Sequence, residues 1–364
     1  MKNFPGKGDN IMSKLRVGII GTGGISHCHM TGYKALPDEV EVVAVCDIDE
    51  EKVKAYAERY NVGAWYTDYN EMLEKEKLDC VSVTTWNSVH MPATVASLNA
   101  GVNVICEKPM AMNAREAEMM LDAAKKNGKV LQIGFVRRFG DDAITAKKYI
   151  DAGAIGDIYY GKAQYLRRRG CPGGWFGDKE YSGGGPLIDL GVHVMDLVRY
   201  LGGCPKPVAA FGATFDNLTA TRDEEGEKAW TATTSSSGFK FSVEDFATAM
   251  VRFDNGMVMS VEASFNLNIK GDTGSVELFG TKSAVHIDPF EIYSDVDAEY
   301  PELKPDGPIQ FTGKAFSDEI AAFIDSVANG TPCKAPAEDG VALMKIIDAI
   351  YESAETGHEA VINW

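Results

Sequence analysis

The chain is short of positive charge: 36 Lys and Arg stand against 53 Asp and Glu in 364 residues, a formal net charge of −17. A surface of that sign repels nucleic-acid backbones and anionic membranes, so neither is an expected partner. No apolar run approaches the ~20 residues that a membrane-spanning helix needs. Met1 to Ser13 is polar and contains glycine, without the apolar stretch of a signal peptide. It reads as a tail, or as an upstream start ahead of Met12. Cysteine is sparse and scattered, seven in all, an odd number with no C-x-x-C pair. That excludes a disulfide framework and fits free thiols in a reducing cytoplasm. Repeats and low-complexity tracts are also missing. What remains, 45% hydrophobic and 24% charged, is an ordinary globular composition in a chain long enough for two domains.

The first part alternates short apolar runs with helical patterns. Strands are expected at 17–20, 40–46, 65–66, 80–84, 103–106 and 130–134, with helices at 25–36, 49–60, 68–75, 89–99 and 113–127 between them. Such alternation implies an α/β fold, a parallel sheet covered by helices on both faces, with ligands beyond the strand C-terminal ends. After about residue 138 the pattern changes. A helix (141–152) and a strand (158–167) lead through a Gly-rich loop to a helix at 186–201. Longer, more alternating strands follow at 207–215, 242–253, 257–268, 273–279 and 284–287, as in an antiparallel sheet with one covered face. Residues 220–240 suit a loose loop, and helices at 314–328 and 338–354 close the chain. The second part is expected to be an α+β domain with a large, mainly antiparallel sheet. The two domains are expected to span 14–137 and 138–364.

The first strand runs straight into Gly21, Gly23, Gly24 and Ile25, with Ser26 where a third glycine would complete G-x-G-x-x-G. Such a turn lets backbone amides at a helix start approach a pyrophosphate, although a Gly-rich turn also serves simply as a turn. The second strand ends in Asp47, 24 residues beyond Gly23. A carboxylate there suits ribose hydroxyls and repels a 2′-phosphate, which favours NAD over NADP. His27-Cys28-His29 places metal-type ligands on alternate residues of a helix start, where they do not converge on one ion, so no metal is expected.

Two further clusters carry candidate chemistry. Glu107-Lys108-Pro109 ends a buried strand at the ligand-facing edge, where charge is costly unless paired or used. A surface salt bridge at a helix start is the alternative. Beside a nicotinamide, Lys108 would polarise a hydroxyl or handle its proton. In Ser182 to Asp196, three glycines and Pro186 signal a helix start, and Asp189, His193 and Asp196 fall at i, i+4 and i+7. A carboxylate one turn before a histidine steers it as a base. A cap beside a satisfied histidine, or a metal site, fits the same spacing. Before this helix, the stretch from Tyr165 through Arg167-Arg168-Arg169, Pro172 and Trp175 to Phe176 should border the pocket. Arg167 and Arg169 share a strand face, and Trp175 offers a flat face to a sugar ring. A basic, solvated strand end is the alternative.

The two clusters behind the Gly-rich turn resemble the glucose–fructose oxidoreductase / inositol dehydrogenase (Gfo/Idh/MocA) family over nearly the whole chain. The marks are A-G-x-x-V-x-x-E-K-P at 100–109 and G-G-G-x-x-x-D-x-G-x-H at 183–193. The family's T-P-N-x-x-H appears as Thr85-Trp86-Asn87-Ser88-Val89-His90, and its G-F-N-R-R-F as Gly134-Phe135-Val136-Arg137-Arg138-Phe139. The resemblance implies a Rossmann domain holding NAD through Gly21, Gly23, Gly24, Ile25, Asp47, Thr85, Asn87, His90, Glu107, Lys108 and Arg138. It implies catalysis by Lys108, Asp189 and His193, with Arg167, Arg169 and Trp175 completing a sugar, polyol or glycoside site. The reaction implied is oxidation of a secondary hydroxyl, at the pyranose 3-position in the members with a similar Arg-rich loop. A homo-oligomer built through the second sheet is also implied. Other relatives cleave glycosides by oxidation–elimination on a retained NAD, act as ligand-sensing co-regulators, or reduce imines or biliverdin-type compounds.

Overall fold

The computed structural model describes residues 14–218, 238–293 and 309–364. The expected tail at 1–13 and most of the loop at 220–240 lie outside the described residues.

The first layer is a six-stranded parallel sheet: β1 (Leu15–Ile20), β2 (Val40–Cys46), β3 (Ala64–Tyr66), β4 (Cys80–Val83), β5 (Asn103–Glu107) and β6 (Leu131–Gly134), in the order β3-β2-β1-β4-β5-β6. Every pairing is parallel. The strands are short and apolar because both faces are covered; all four residues of β4 are buried. Helices α1 (Ser26–Lys34), α2 (Glu50–Tyr60), α3 (Tyr69–Lys75), α4 (Asn87–Asn99) and α5 (Ala114–Asn127) cover it. Local chemistry sets their ends. The Asp49 side chain accepts from the Lys52 amide at the start of α2, and Asn113 accepts from the Glu116 amide at the start of α5. Gly128, at φ +60°, ends α5. The strand order reverses between β1 and β4, which opens a crevice at their C-terminal ends.

The second layer is an eight-stranded sheet. It comprises β7 (Ile158–Leu166), β8 (Pro207–Phe215), β9 (Phe246–Phe253), β10 (Val258–Ser264), β11 (Thr273–Gly280), β12 (Ala284–Ile287), β13 (Glu291–Tyr293) and β14 (Ala360–Val361). The order is β13-β12-β11-β7-β10-β9-β8-β14, antiparallel throughout except for β7 beside β10. The sequence pattern did not reveal β13 or β14, two- and three-residue edge strands too short to show alternation. Helices α6 (Asp141–Asp151), α7 (Lys179–Ser182), α8 (Val192–Leu201), α9 (Lys314–Asn329) and α10 (Ala337–Thr356) complete this part. The expected single helix at 186–201 is instead a π-turn, Leu187–Gly191, feeding α8. Helix α9 returns to the first layer: a Cβ on Gly32 of α1 would stand 2.7 Å from Ile320, so glycine permits the close approach. Among the described residues no helix is long and apolar enough to cross a membrane.

Candidate active site

A cavity of about 1060 Å³ lies where the C-terminal edge of the parallel sheet faces the second sheet. One end is the Gly-rich turn. Gly21 has φ +91°, and a Cβ there would stand 2.6 Å from the Thr84 carbonyl oxygen, so only glycine fits. A Cβ on Gly23 would meet nothing within 4 Å, which leaves open space over the start of α1. Ser26, in the third glycine's place, is fully buried, and its hydroxyl donates to the Gly23 carbonyl at 2.6 Å. Asp47 faces this turn. Its Oδ2 accepts from the Thr22 amide at 2.7 Å and the Thr22 hydroxyl at 2.9 Å, with Lys52 Nζ at 3.2 Å. Burial would raise the Asp47 carboxyl, but the Thr22 amide and the Lys52 charge outweigh it and hold it below its ordinary value. These groups fit a dinucleotide: amides at a helix start for the pyrophosphate and an ionised carboxylate for the ribose.

The β4 and β5 ends form the middle wall. Thr85, Asn87, His90, Glu107 and Lys108 all line the cavity. Asn87 Nδ2 donates to the Ser182 carbonyl at 2.8 Å, joining the two parts of the chain. His90 bridges the two strand ends, with Nδ1 2.7 Å from the Pro109 carbonyl and Nε2 3.3 Å from that of Thr85. Both contacts would need a proton, yet burial lowers the His90 pKa. The shorter bond is therefore the N–H donor of a neutral ring.

At the far end Lys108 Nζ donates to Asp189 Oδ1 at 3.0 Å and to the Asp189 carbonyl at 3.1 Å. His193 lines the same cavity; its Nδ1 is sealed and has no partner among the described residues. Burial, then the charges of Lys108, Arg137 and Arg167, hold this imidazole well below its ordinary value, so it is neutral at pH 7. Glu244, unremarked in the sequence, accepts from the Gly185 amide at 3.0 Å and the Leu187 amide at 3.2 Å, and so holds the start of the π-turn. Tyr351 donates to it at 2.9 Å. Above the pair stand Arg167, buried and donating to the Gly170 carbonyl, and Trp175 stacked on Phe176 at 3.9 Å.

Residues 15–135 match the GFO_IDH_MocA oxidoreductase family with its NAD-binding Rossmann fold, and residues 143–286 match the GFO/IDH/MocA C-terminal domain. The chain is 35% identical to D-glucoside 3-dehydrogenase of Escherichia coli (strain K12) over 353 residues, 95% of this chain and 97% of that one. The chain belongs to the GFO/IDH/MocA family. It is also 28% identical to levoglucosan dehydrogenase of Pseudarthrobacter phenanthrenivorans, over 94% of this chain and 97% of that one. A solved levoglucosan dehydrogenase in complex with NADH superposes with TM-score 0.81 at 26% identity, covering 96% of this chain and all of that one.

Three expectations within this GFO/IDH/MocA site need correction. Asp189 does not steer His193; it holds Lys108. Both side chains line the cavity, but Asp189 Oδ1 and the Asp189 carbonyl are taken by the Lys108 ammonium, 81 residues away, whose charge is the stronger partner for a carboxylate. Arg138 does not reach the cofactor space. It is buried and bound by Asp196 and Asp339, while Arg137, its neighbour on the 3₁₀ turn Val136–Phe139, lines the cavity. Arg169 does not line the cavity either. Strand β7 ends at Leu166, so alternation stops before it, and its guanidinium bonds the Arg168 carbonyl and Asn268 Oδ1. Tyr165, Pro172 and Phe176 line the cavity in its stead. All three belong to the stretch 165–176 expected at the pocket, without being singled out in it.

Proposed function

We propose that this chain uses NAD to oxidise a secondary hydroxyl of a sugar, polyol or glycoside to a ketone, at the 3-position of a glucoside-type ring. The observation that carries this reading is the Lys108–Asp189 pair, with a neutral, under-bonded His193, on the wall that also holds the Gly21 turn and Asp47. When bound, NAD supplies the redox chemistry by accepting hydride from the carbinol carbon. Asp189 keeps the Lys108 ammonium in place. Lys108 donates to the carbinol oxygen and stabilises charge developing there. His193, uncharged, takes the hydroxyl proton at Nε2, since Nδ1 is sealed inside. Arg167 and Trp175 hold the ring by donors and by a flat apolar face.

The chain divides, in this reading, into a dinucleotide domain at 14–137 and a substrate domain at 138–364. The family likeness and the exposed Phe211, Met250 and Tyr293 on the second sheet support a homo-oligomer through that face. The free thiols and acidic balance suit a cytoplasmic enzyme without nucleic-acid or membrane partners. The test is purified protein with NAD and a panel of glucosides, free sugars and inositols, followed by absorbance at the NADH band and by product mass. A two-hydrogen loss with NADH formation is the expected result. Release of the leaving group without net NADH would replace this reading with oxidation–elimination, and cofactor binding with no turnover on any compound would replace it with ligand sensing.

A further inference from the structure

His29 of α1, Glu107 at the end of β5 and Glu319 of α9 meet in the interior, with exposures of 1%, 6% and 0%. Their ligand atoms all lie within 4.8 Å of one another. His29 Nε2 stands 2.9 Å from Glu107 Oε1, and its Nδ1 stands 3.0 Å from Ser82 Oγ. Ser82 in turn meets the Tyr33 hydroxyl at 2.7 Å. Both oxygens of Glu319 are sealed, and neither has a hydrogen-bond partner among the described residues. The nearby cations are committed elsewhere: Lys108 to Asp189, and Arg138 to Asp196 and Asp339.

A buried carboxylate with two bare oxygens beside a second carboxylate is costly unless it takes up a proton or binds a cation, and burial beside Glu107 pushes the Glu319 carboxyl well up. A proton shared directly with Glu107 would require an oxygen–oxygen contact of ~2.6 Å, and neither Glu319 oxygen makes one. A proton held by Glu319 alone would remove the charge but leave a buried hydroxyl and carbonyl without hydrogen-bond partners among the described residues; a cation satisfies both charge and valence. We propose that His29 Nε2, Glu107 and Glu319 form a site for one divalent transition-metal cation, of the Zn²⁺, Fe²⁺ or Mn²⁺ kind. One imidazole and two carboxylates suit these ions. Donors at ~2.1 Å from an ion lie up to ~4.2 Å apart, so a small turn of the Glu319 side chain closes the set. Ser82 on Nδ1 fixes the imidazole as a metal-ligating histidine requires. The ion ties α9 to α1 and β5. It also holds Glu107, whose Oε2 accepts from the Lys108 amide at 3.2 Å, and so positions the turn carrying Lys108. Its role is structural, outside the hydride and proton steps.

The test measures metal content by mass spectrometry in the full-length protein and in Glu319→Gln and Glu319→Leu. Thermal denaturation is then followed on EDTA-treated wild type with added Mn²⁺ or Zn²⁺. The expected result is about one equivalent of metal per chain in wild type, bound or restored, with a raised Tm. Both variants should lose it at least about tenfold and melt lower. Wild type that neither carries nor gains metal would overturn the site, as would variants that keep their metal. A Glu319→Leu protein that melts higher than wild type would also overturn it, because removing an unligated buried acid stabilises. None of these readouts depends on turnover, so they stand apart from the dehydrogenase reading.

Discussion

Asp189 and Asp196 lie seven residues apart along the same helical run, both buried, and they serve different ends. Asp196 belongs to a closed network. Arg138 binds it through Nε at 2.8 Å and Nη2 at 2.6 Å, and Arg138 and Arg199 together hold Asp339. The Arg199 guanidinium also donates to the Pro205 and Cys204 carbonyls. Asp189 belongs to an open one. Lys108 takes Oδ1 and the backbone carbonyl, and Nδ1 of the neighbouring His193 has no partner among the described residues. A buried network whose charges are all paired fastens elements together, here the 3₁₀ turn after β6, α8 and α10. One with valence left over can receive a substrate hydroxyl.

The sharpest break in this comparison is at the open end. Lys108→Ala should lower kcat by about 10²–10⁴-fold while NADH affinity, read by fluorescence titration, stays as in wild type; retained turnover would remove Lys108 from the chemistry. At the closed end, Asp196→Ala leaves Arg138 buried without its main partner. Urea unfolding should show a loss of about 3–5 kcal/mol. A loss confined to activity would mean that the two networks are not distinct. A finer contrast is Arg167→Ala against Arg169→Ala. The first should raise the substrate KM by roughly tenfold, the value of one lost charged hydrogen bond, and the second should leave it near wild type. Equal effects would mean that Arg169 does reach the ring.

The smallest effect is in pH. His193 is held uncharged in the folded protein, first by burial, then by Lys108, Arg137 and Arg167. Burial lowers His90 in the same direction. The unfolded chain binds protons on both rings below their ordinary value of 6.5, and the native state does not. Folding stability therefore falls as pH drops through that value and is recovered above it. By the same reasoning the acid limb of kcat/KM lies below pH 6.5; a limb above it would place the titrating base elsewhere.

The dinucleotide end was open to sequence reasoning because its chemistry is local. Gly21 and Gly23 matter through their backbone and Asp47 through its carboxylate, all at strand ends that strand period and turn composition locate. The same holds for Lys108 at the end of β5 and for the helix start at Pro186. Arg137 and Arg138 show the limit. Both are arginines of one motif, and only the winding of a 3₁₀ turn and the presence of Asp196 and Asp339, 58 and 201 residues away, decide which one faces the cavity. Asp189 and His193 show it again: both face the cavity, but Lys108, 81 residues away, takes the carboxylate that the spacing alone gave to the histidine.

By itself, then, the sequence determined the α/β class, the crevice, the Gly-rich turn and the lysine at the end of β5, because each is written in contiguous residues with a fixed backbone period. Only the tertiary structure decided which buried charges are paired and which are left over. Lys108 meets Asp189 across 81 residues, and Glu319 approaches His29 and Glu107 only because α9 folds back onto the first sheet. Pairing of buried charge depends on distances of a few ångströms between distant segments, which packing sets and local pattern does not encode.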